Sequence, residues 1–130
     1  MKIFDNNEQW GSKVNFVDEN NVFVGYDTNQ DCCEDANWFI KDEMIVEGIG
    51  NISNTPHCQE LENQESYMFD QSFFFQGECG SLDAGGFVVF KLCSYDHDDK
   101  YLYLYNAHNG YYGHGFEFKI GEDVIQEGCL

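Results

Sequence analysis

Apolar and polar residues alternate over much of this chain with a period of two. Val14 and Phe16, then Val22 and Val24, occupy every second position on either side of Asp18-Glu19-Asn20-Asn21, a run of turn formers. A period of two marks a strand with one buried face, so the segment predicts a β-hairpin whose Val and Phe side chains point inward. The pattern breaks between Asp31 and Ile40, which predicts a short helical turn leading into a strand from Trp38 to Val46. Gly48, Gly50, Asn51, Ser53, Asn54 and Pro56 form a loop-rich passage. Thr55 stands where it can cap a helix that starts at Pro56, which predicts one or two helical turns over His57 to Glu65.

Strand signals strengthen beyond this point. Tyr67 to Phe75, Gly86 to Cys93, Lys100 to Asn106 and Tyr111 to Ile120 are aromatic and β-branched runs bounded by turn residues. The last three read as a meander, with Asp96-His97-Asp98-Asp99 as one connection and Ala107-His108-Asn109-Gly110 as the next, because Asn-Gly tolerates the positive φ of a tight hairpin. Leu102 and Leu104 share one face of their strand, and Tyr101, Tyr103 and Tyr105 the other, where hydroxyl groups can reach water or a partner. The expected fold is mainly β. It is an antiparallel sheet of about six or seven strands curved into a sandwich or open barrel, with one or two short helices.

Composition supports one folded domain over residues 1–130. A 42% hydrophobic and 17% aromatic content is rich enough for a core, and only one proline and no linker-like stretch interrupt it. No run approaches the length of a membrane helix and Met1 to Trp10 is polar, so the expected location is cytoplasmic. Cys32 and Cys33 are adjacent and cannot easily bridge each other, so the six cysteines read as free thiols.

Charge changes the picture most. Twenty-four Asp and Glu residues stand against six Lys and no Arg, a formal net charge of -18. Nucleic acid and anionic membranes are repelled by such a surface, since both are bound through Lys and Arg. Carboxylates on strand edges discourage sheet-to-sheet aggregation, but alternating Lys and Glu would do so without self-repulsion. The excess therefore points to a basic partner.

Candidate chemistry is thin. His57, His97, His108 and His114 invite a metal reading, with His108 and His114 close across the Asn-Gly turn, but their spacing matches no zinc pattern, and solvated turns with a packed His114 are the simpler account. Asp31, Glu34 and Asp35 crowd Cys32-Cys33 and oppose the thiolate that a nucleophile requires. Neither a nucleophile elbow nor a phosphate-cradling glycine loop is present, and no cofactor, metal or enzymatic activity is expected.

The Gln30-Asp31-Cys32-Cys33-Glu34 segment and the His108-Asn109-Gly110-Tyr111-Tyr112 turn resemble those of an uncharacterised group of small bacterial and phage proteins, a likeness that implies no activity. In size, acidity and β content the chain also resembles the immunity proteins of bacterial toxin systems, contact-dependent inhibition included. That resemblance implies a protein that binds and neutralises a basic toxin domain, a nuclease above all. The residues expected to meet such a partner are Asp31, Glu34 and Asp35, Asp96, Asp98 and Asp99, with Tyr111 and Tyr112 as aromatic anchors. The alternatives are a phage-encoded nucleic-acid mimic that inhibits a host defence nuclease, and a small metal-dependent enzyme using His97, His108 and His114.

Overall fold

A computed structural model describes residues 1–6, 11–29, 36–44, 58–78, 86–106 and 114–130. The alternating segments fold as strands: β1 (Lys2–Asn6), β2 (Lys13–Val17), β3 (Val22–Asp27), β4 (Ala36–Lys41), β5 (Met68–Phe69), β6 (Phe75–Glu78), β7 (Gly86–Cys93), β8 (Lys100–Asn106), β9 (Gly115–Ile120) and β10 (Asp123–Cys129). They form two five-stranded antiparallel sheets, one in the order β1-β2-β3-β9-β10, the other β4-β8-β7-β5 with β6 also paired to β7. The fold class is the expected one, a mainly β sandwich without barrel closure.

Register makes the core. Val14 faces Tyr26, Phe16 faces Val24, and Val24 faces Phe118, so inward side chains of the first sheet form rows. They meet Trp38, Ile40, Val88, Phe90, Leu92, Leu102 and Leu104 of the second sheet, all buried. Edge-to-face rings cross the interface, with Phe16 to Trp38 at 5.1 Å and Phe90 to Phe118 at 5.2 Å between centroids.

Several expectations change. The expected meander ends after one hairpin: β8 pairs with β7 on one side and β4 on the other, while β9 lies in the opposite sheet between β3 and β10. With both edges of β8 taken, β9 has no ladder to join there, and Phe116 and Phe118 pair instead against Tyr26 and Val24. An Asn-Gly signal reports local turn preference and cannot report that the next strand changes sheets. The Tyr67 to Phe75 run splits into β5 and β6, both on one edge of β7. At the break, an Asp70 side-chain oxygen accepts hydrogen bonds from the Ser72 N–H at 2.9 Å and the Ser72 hydroxyl at 2.6 Å, closing a turn.

The strand expected from Trp38 to Val46 runs instead from Ala36 to Lys41 and gives way to a bend at Asp42 and Glu43. Of the helix expected over 57–65, the described residues hold a single 3-10 turn at Gln64–Ser66, and no α-helix occurs among them. Two strands carry no clear alternation and escape sequence reading, β1 and β10, whose residues are nearly all exposed. No described helix is long and apolar enough to cross a membrane.

The tyrosine face of β8 is not a wet surface. Tyr103 and Tyr105 are buried in a second cluster with Phe39, Phe87 and Val89, on the face of the sheet turned away from the main core. Tyr103 stacks on Phe39 at 4.7 Å and donates its hydroxyl to the Glu43 carbonyl at 3.0 Å. Aromatic neighbours on β4 and β7 bury these rings, and the sequence of β8 alone does not contain them.

One end of the sandwich is tied by polar contacts. Asp18, buried in the β2–β3 turn, accepts hydrogen bonds from the main-chain N–H of Asn20 and Val22 through Oδ1, and from that of Phe69 in the opposite sheet through Oδ2. Asn21, at φ 61°, accepts from the Gly121 N–H, which sets the β9–β10 turn beside the β2–β3 turn. The Met1 amino group donates to the Gln64 and Tyr67 carbonyls, each at 2.9 Å.

Candidate protein-docking site

The same end gathers carboxylates. The β2–β3 turn brings Glu19, the bend after β4 brings Asp42 and Glu43, and the segment before the 3-10 turn brings Glu60 and Glu62. The β7–β8 connection adds Asp96, Asp98 and Asp99, and the β9–β10 turn Glu122. Antiparallel topology explains the convergence: these connections all leave the sheets at one end, and turns take polar residues because their backbone is wet.

Between them lies an open cleft of about 740 Å³, lined by Lys41, Asp42, Glu43, Cys58, Glu60, Leu61, Glu62, Asn63, Tyr67, His97, Asp98 and Lys100 with Ile40 behind. Backbone pairing holds its walls. The Ile40 N–H donates to the Cys58 carbonyl at 2.8 Å, and the Gln59 side chain donates to the Trp38 carbonyl at 2.9 Å, so residues 58–60 run along the outer edge of β4. Across the cleft, Tyr67 donates its hydroxyl to the Asp98 carbonyl at 2.8 Å, and His97 stacks over the Tyr67 ring at 6.3 Å. Burial pushes the Tyr67 hydroxyl pKa up, offset in part by Lys100.

Lysines neutralise part of this charge. Lys100 is hydrogen-bonded to Asp42, which holds its ammonium above the usual lysine range, and Lys91 pairs with Asp99 at 3.5 Å. The remaining carboxylates of the cleft, Glu43, Glu60, Glu62 and Asp98, enter no ion pair among the described residues. They line the cleft with Leu61 and the Tyr67–His97 stack, an arrangement suited to a cationic side chain whose aliphatic stem needs apolar contact.

Three of the residues expected from sequence, Asp96, Asp98 and Asp99, are exposed in the β7–β8 connection. They play different parts: Asp98 lines the cleft, Asp99 is engaged by Lys91, and Asp96 lies on the exposed connection beside Tyr95, which is 94% exposed. Asp31, Glu34, Asp35, Tyr111 and Tyr112 lie outside the described residues. Their described neighbours Asn29, Ala36, Asn106 and His114 stand at the end of the sandwich opposite the cleft. Sequence reasoning missed Tyr95, Glu60, Glu62 and the Tyr67–His97 stack. Tyr95 beside Asp96 was a readable signal, but Glu60 and Glu62 reach the cleft because residues 58–60 run along β4, and Tyr67 meets His97 because the β7–β8 connection lies against it.

The histidine triad does not converge. His97 is in the cleft, whereas His114 is buried at the other end with Nδ1 3.0 Å from the Asp27 carbonyl oxygen, and His108 lies outside the described residues. No group of three or more His, Cys, Asp or Glu side chains is arranged to hold a metal among the described residues. Cys58, Cys93 and Cys129 are free thiols. Comparison with models of protein families, with curated proteins and with solved structures found no match.

Proposed function

We propose that this chain is a binding protein for a basic macromolecule, and that it acts as an immunity or inhibitor protein that neutralises a basic toxin domain, a nuclease being the class that fits best. The observation that carries the reading is the carboxylate-lined cleft at one end of a body of net charge -18. A nuclease needs a positive groove to hold phosphates, and a cationic groove meets its electrostatic complement in Glu60, Glu62, Asp96 and Asp98. Opposite fields raise association rates to about 10⁸–10⁹ M⁻¹s⁻¹ at low salt, the speed that an inhibitor needs to intercept a toxin. Residence time comes from anchors desolvated on docking, for which the exposed Tyr95 and His97, the latter stacked on the buried Tyr67, are the described candidates. Among the described residues the carboxylates gathered around the cleft suit a local docking patch, whereas a nucleic-acid mimic calls for rows of them along the body.

The test is inhibition. The protein is titrated into basic nuclease toxin domains while their cleavage of nucleic acid is followed, and association is timed by stopped flow at low and physiological salt. A stoichiometric block of one domain is expected, with the low-salt association rate constant lowered about tenfold or more by the combined Glu60→Lys, Glu62→Lys and Asp98→Lys substitutions and the difference narrowing at physiological salt, where the steering field is screened. If no basic domain binds even in dilute buffer, or if triple charge reversal leaves a low-salt rate unchanged, the reading fails.

A further inference from the structure

We infer that the outer edge of β10 is a second docking surface, which receives an extended segment of a cationic partner as an added β-strand. All seven residues of β10 are exposed, including Val124 at 48% and Ile125 at 43%. In the other sheet the β4 edge is lined by residues 58–60, whose Cys58 carbonyl accepts the Ile40 N–H.

Register shows which backbone groups β10 offers. His114 and Leu130 exchange both main-chain hydrogen bonds, each at 2.9 Å, so they form a hydrogen-bonded pair at the end of the β9–β10 ladder. Hydrogen-bonded and non-bonded pairs alternate in an antiparallel ladder. Gly115–Cys129 is therefore non-bonded, Phe116–Gly128 bonded, and Glu117–Glu127 non-bonded. Glu127 and Cys129 consequently aim their N–H and C=O groups away from β9, at the spacing an incoming strand uses. A register shift between Val124 and Gln126 marks a bulge, so the regular edge begins at Gln126.

Charge selects the occupant. Glu127 sits directly opposite Glu117 on the outer face, a like-charged pair that destabilises a sheet, and among the described residues Lys119 forms its ion pair with Glu117, at 3.4 Å, and not with Glu127. An incoming strand with Lys or Arg opposite Glu127 relieves that repulsion. A second copy of this chain brings another -18 charges and a further Glu127 to the same edge, which opposes self-pairing. This inference rests on the reading that the partner is cationic, but not on use of the cleft.

The test uses the full chain and three blocked heptapeptides: one alternating Lys and Val, the same sequence with alternate amides N-methylated, and one alternating Thr and Val. Amide exchange followed by NMR should slow about tenfold or more at Glu127 and Cys129 with the Lys–Val peptide, and at neither residue with the other two. Cys129→Pro, which removes one outward N–H and leaves the β9 pairing intact, should weaken binding of that peptide about tenfold; the N-methylated peptide makes the same point if the variant does not fold. Salt-sensitive binding without protection at Glu127 and Cys129 overturns the β10 inference and leaves the cationic-partner reading standing. Equal protection by the Thr–Val peptide, or protection that grows with protein concentration alone, overturns the cationic occupant. Failure of the Lys–Val peptide to bind in dilute buffer overturns both.

Discussion

Asp18→Ala removes the buried side chain that ties the β2–β3 turn to the opposite sheet. Its carboxylate accepts three main-chain N–H bonds of 2.9–3.0 Å, two of them buried, from Val22 and from Phe69. A hydrogen bond to a charged group contributes about 1.5–3 kcal/mol, and a buried N–H left without an acceptor costs about 1–3 kcal/mol. Counting only the two buried bonds gives a loss of about 3–6 kcal/mol, a large share of the roughly 5–15 kcal/mol by which domains are stable. Removing one negative charge from an acidic end works the other way, and about 0.15 M salt suppresses that contribution by screening beyond about 8 Å. Urea unfolding at that salt should show the midpoint falling with an unchanged slope. Asp18→Asn should fall between wild type and alanine, because its amide keeps one acceptor and turns an N–H₂ toward another donor. Exposed Glu19→Ala, the neighbouring control, should change stability by less than about 0.5 kcal/mol. A loss below about 1 kcal/mol for Asp18→Ala would mean that water satisfies these N–H groups and that the tie between sheets is not energetic.

Gly77 lies across from Phe87, whose ring occupies the space that a Cβ at residue 77 would need, at 2.5 Å. Gly77→Ala must displace that ring from the second aromatic cluster, so thermal unfolding should register a loss of about 1–3 kcal/mol, and an unchanged midpoint would show that the ring moves freely. Burial, with Asp99 adding to it, raises the Cys93 thiol pKa, so less of it is thiolate at any pH near 8. Peptide-resolved alkylation should therefore label the exposed Cys58 and Cys129 first, with Cys93 catching up only as pH rises; equal labelling of all three at pH 7.5 would contradict the burial.

The strands that sequence alone made legible are those whose alternation coincides with burial. β2 and β3 flank the Asp18–Asn21 turn as expected, and β7 and β8 have the expected bounds, because Val, Phe and Leu at every second position leave one register that buries them. Acidity was equally plain, as was the clustering of Asp96, Asp98 and Asp99 on a turn. The partners of each strand were not legible. Local turn chemistry at Asn109-Gly110 says nothing of β8 being paired on both edges, so the passage of β9 to the other sheet is a tertiary decision.

Burial of Tyr103 and Tyr105 has the same origin, since their amphipathic side chains suit water or a core, and Phe39 and Phe87 on neighbouring strands decide between them. The cleft belongs wholly to tertiary structure. Glu60 and Asp98 lie far apart in sequence and face one space because a non-strand segment hydrogen-bonds along β4 while the β7–β8 connection leaves the same end of the sheet. Sequence thus determined how much negative charge this chain carries and which residues form its strands, as both are properties of residue type and spacing. Where that charge converges depended on how the strands pair, which is set by long-range contacts that no local pattern encodes.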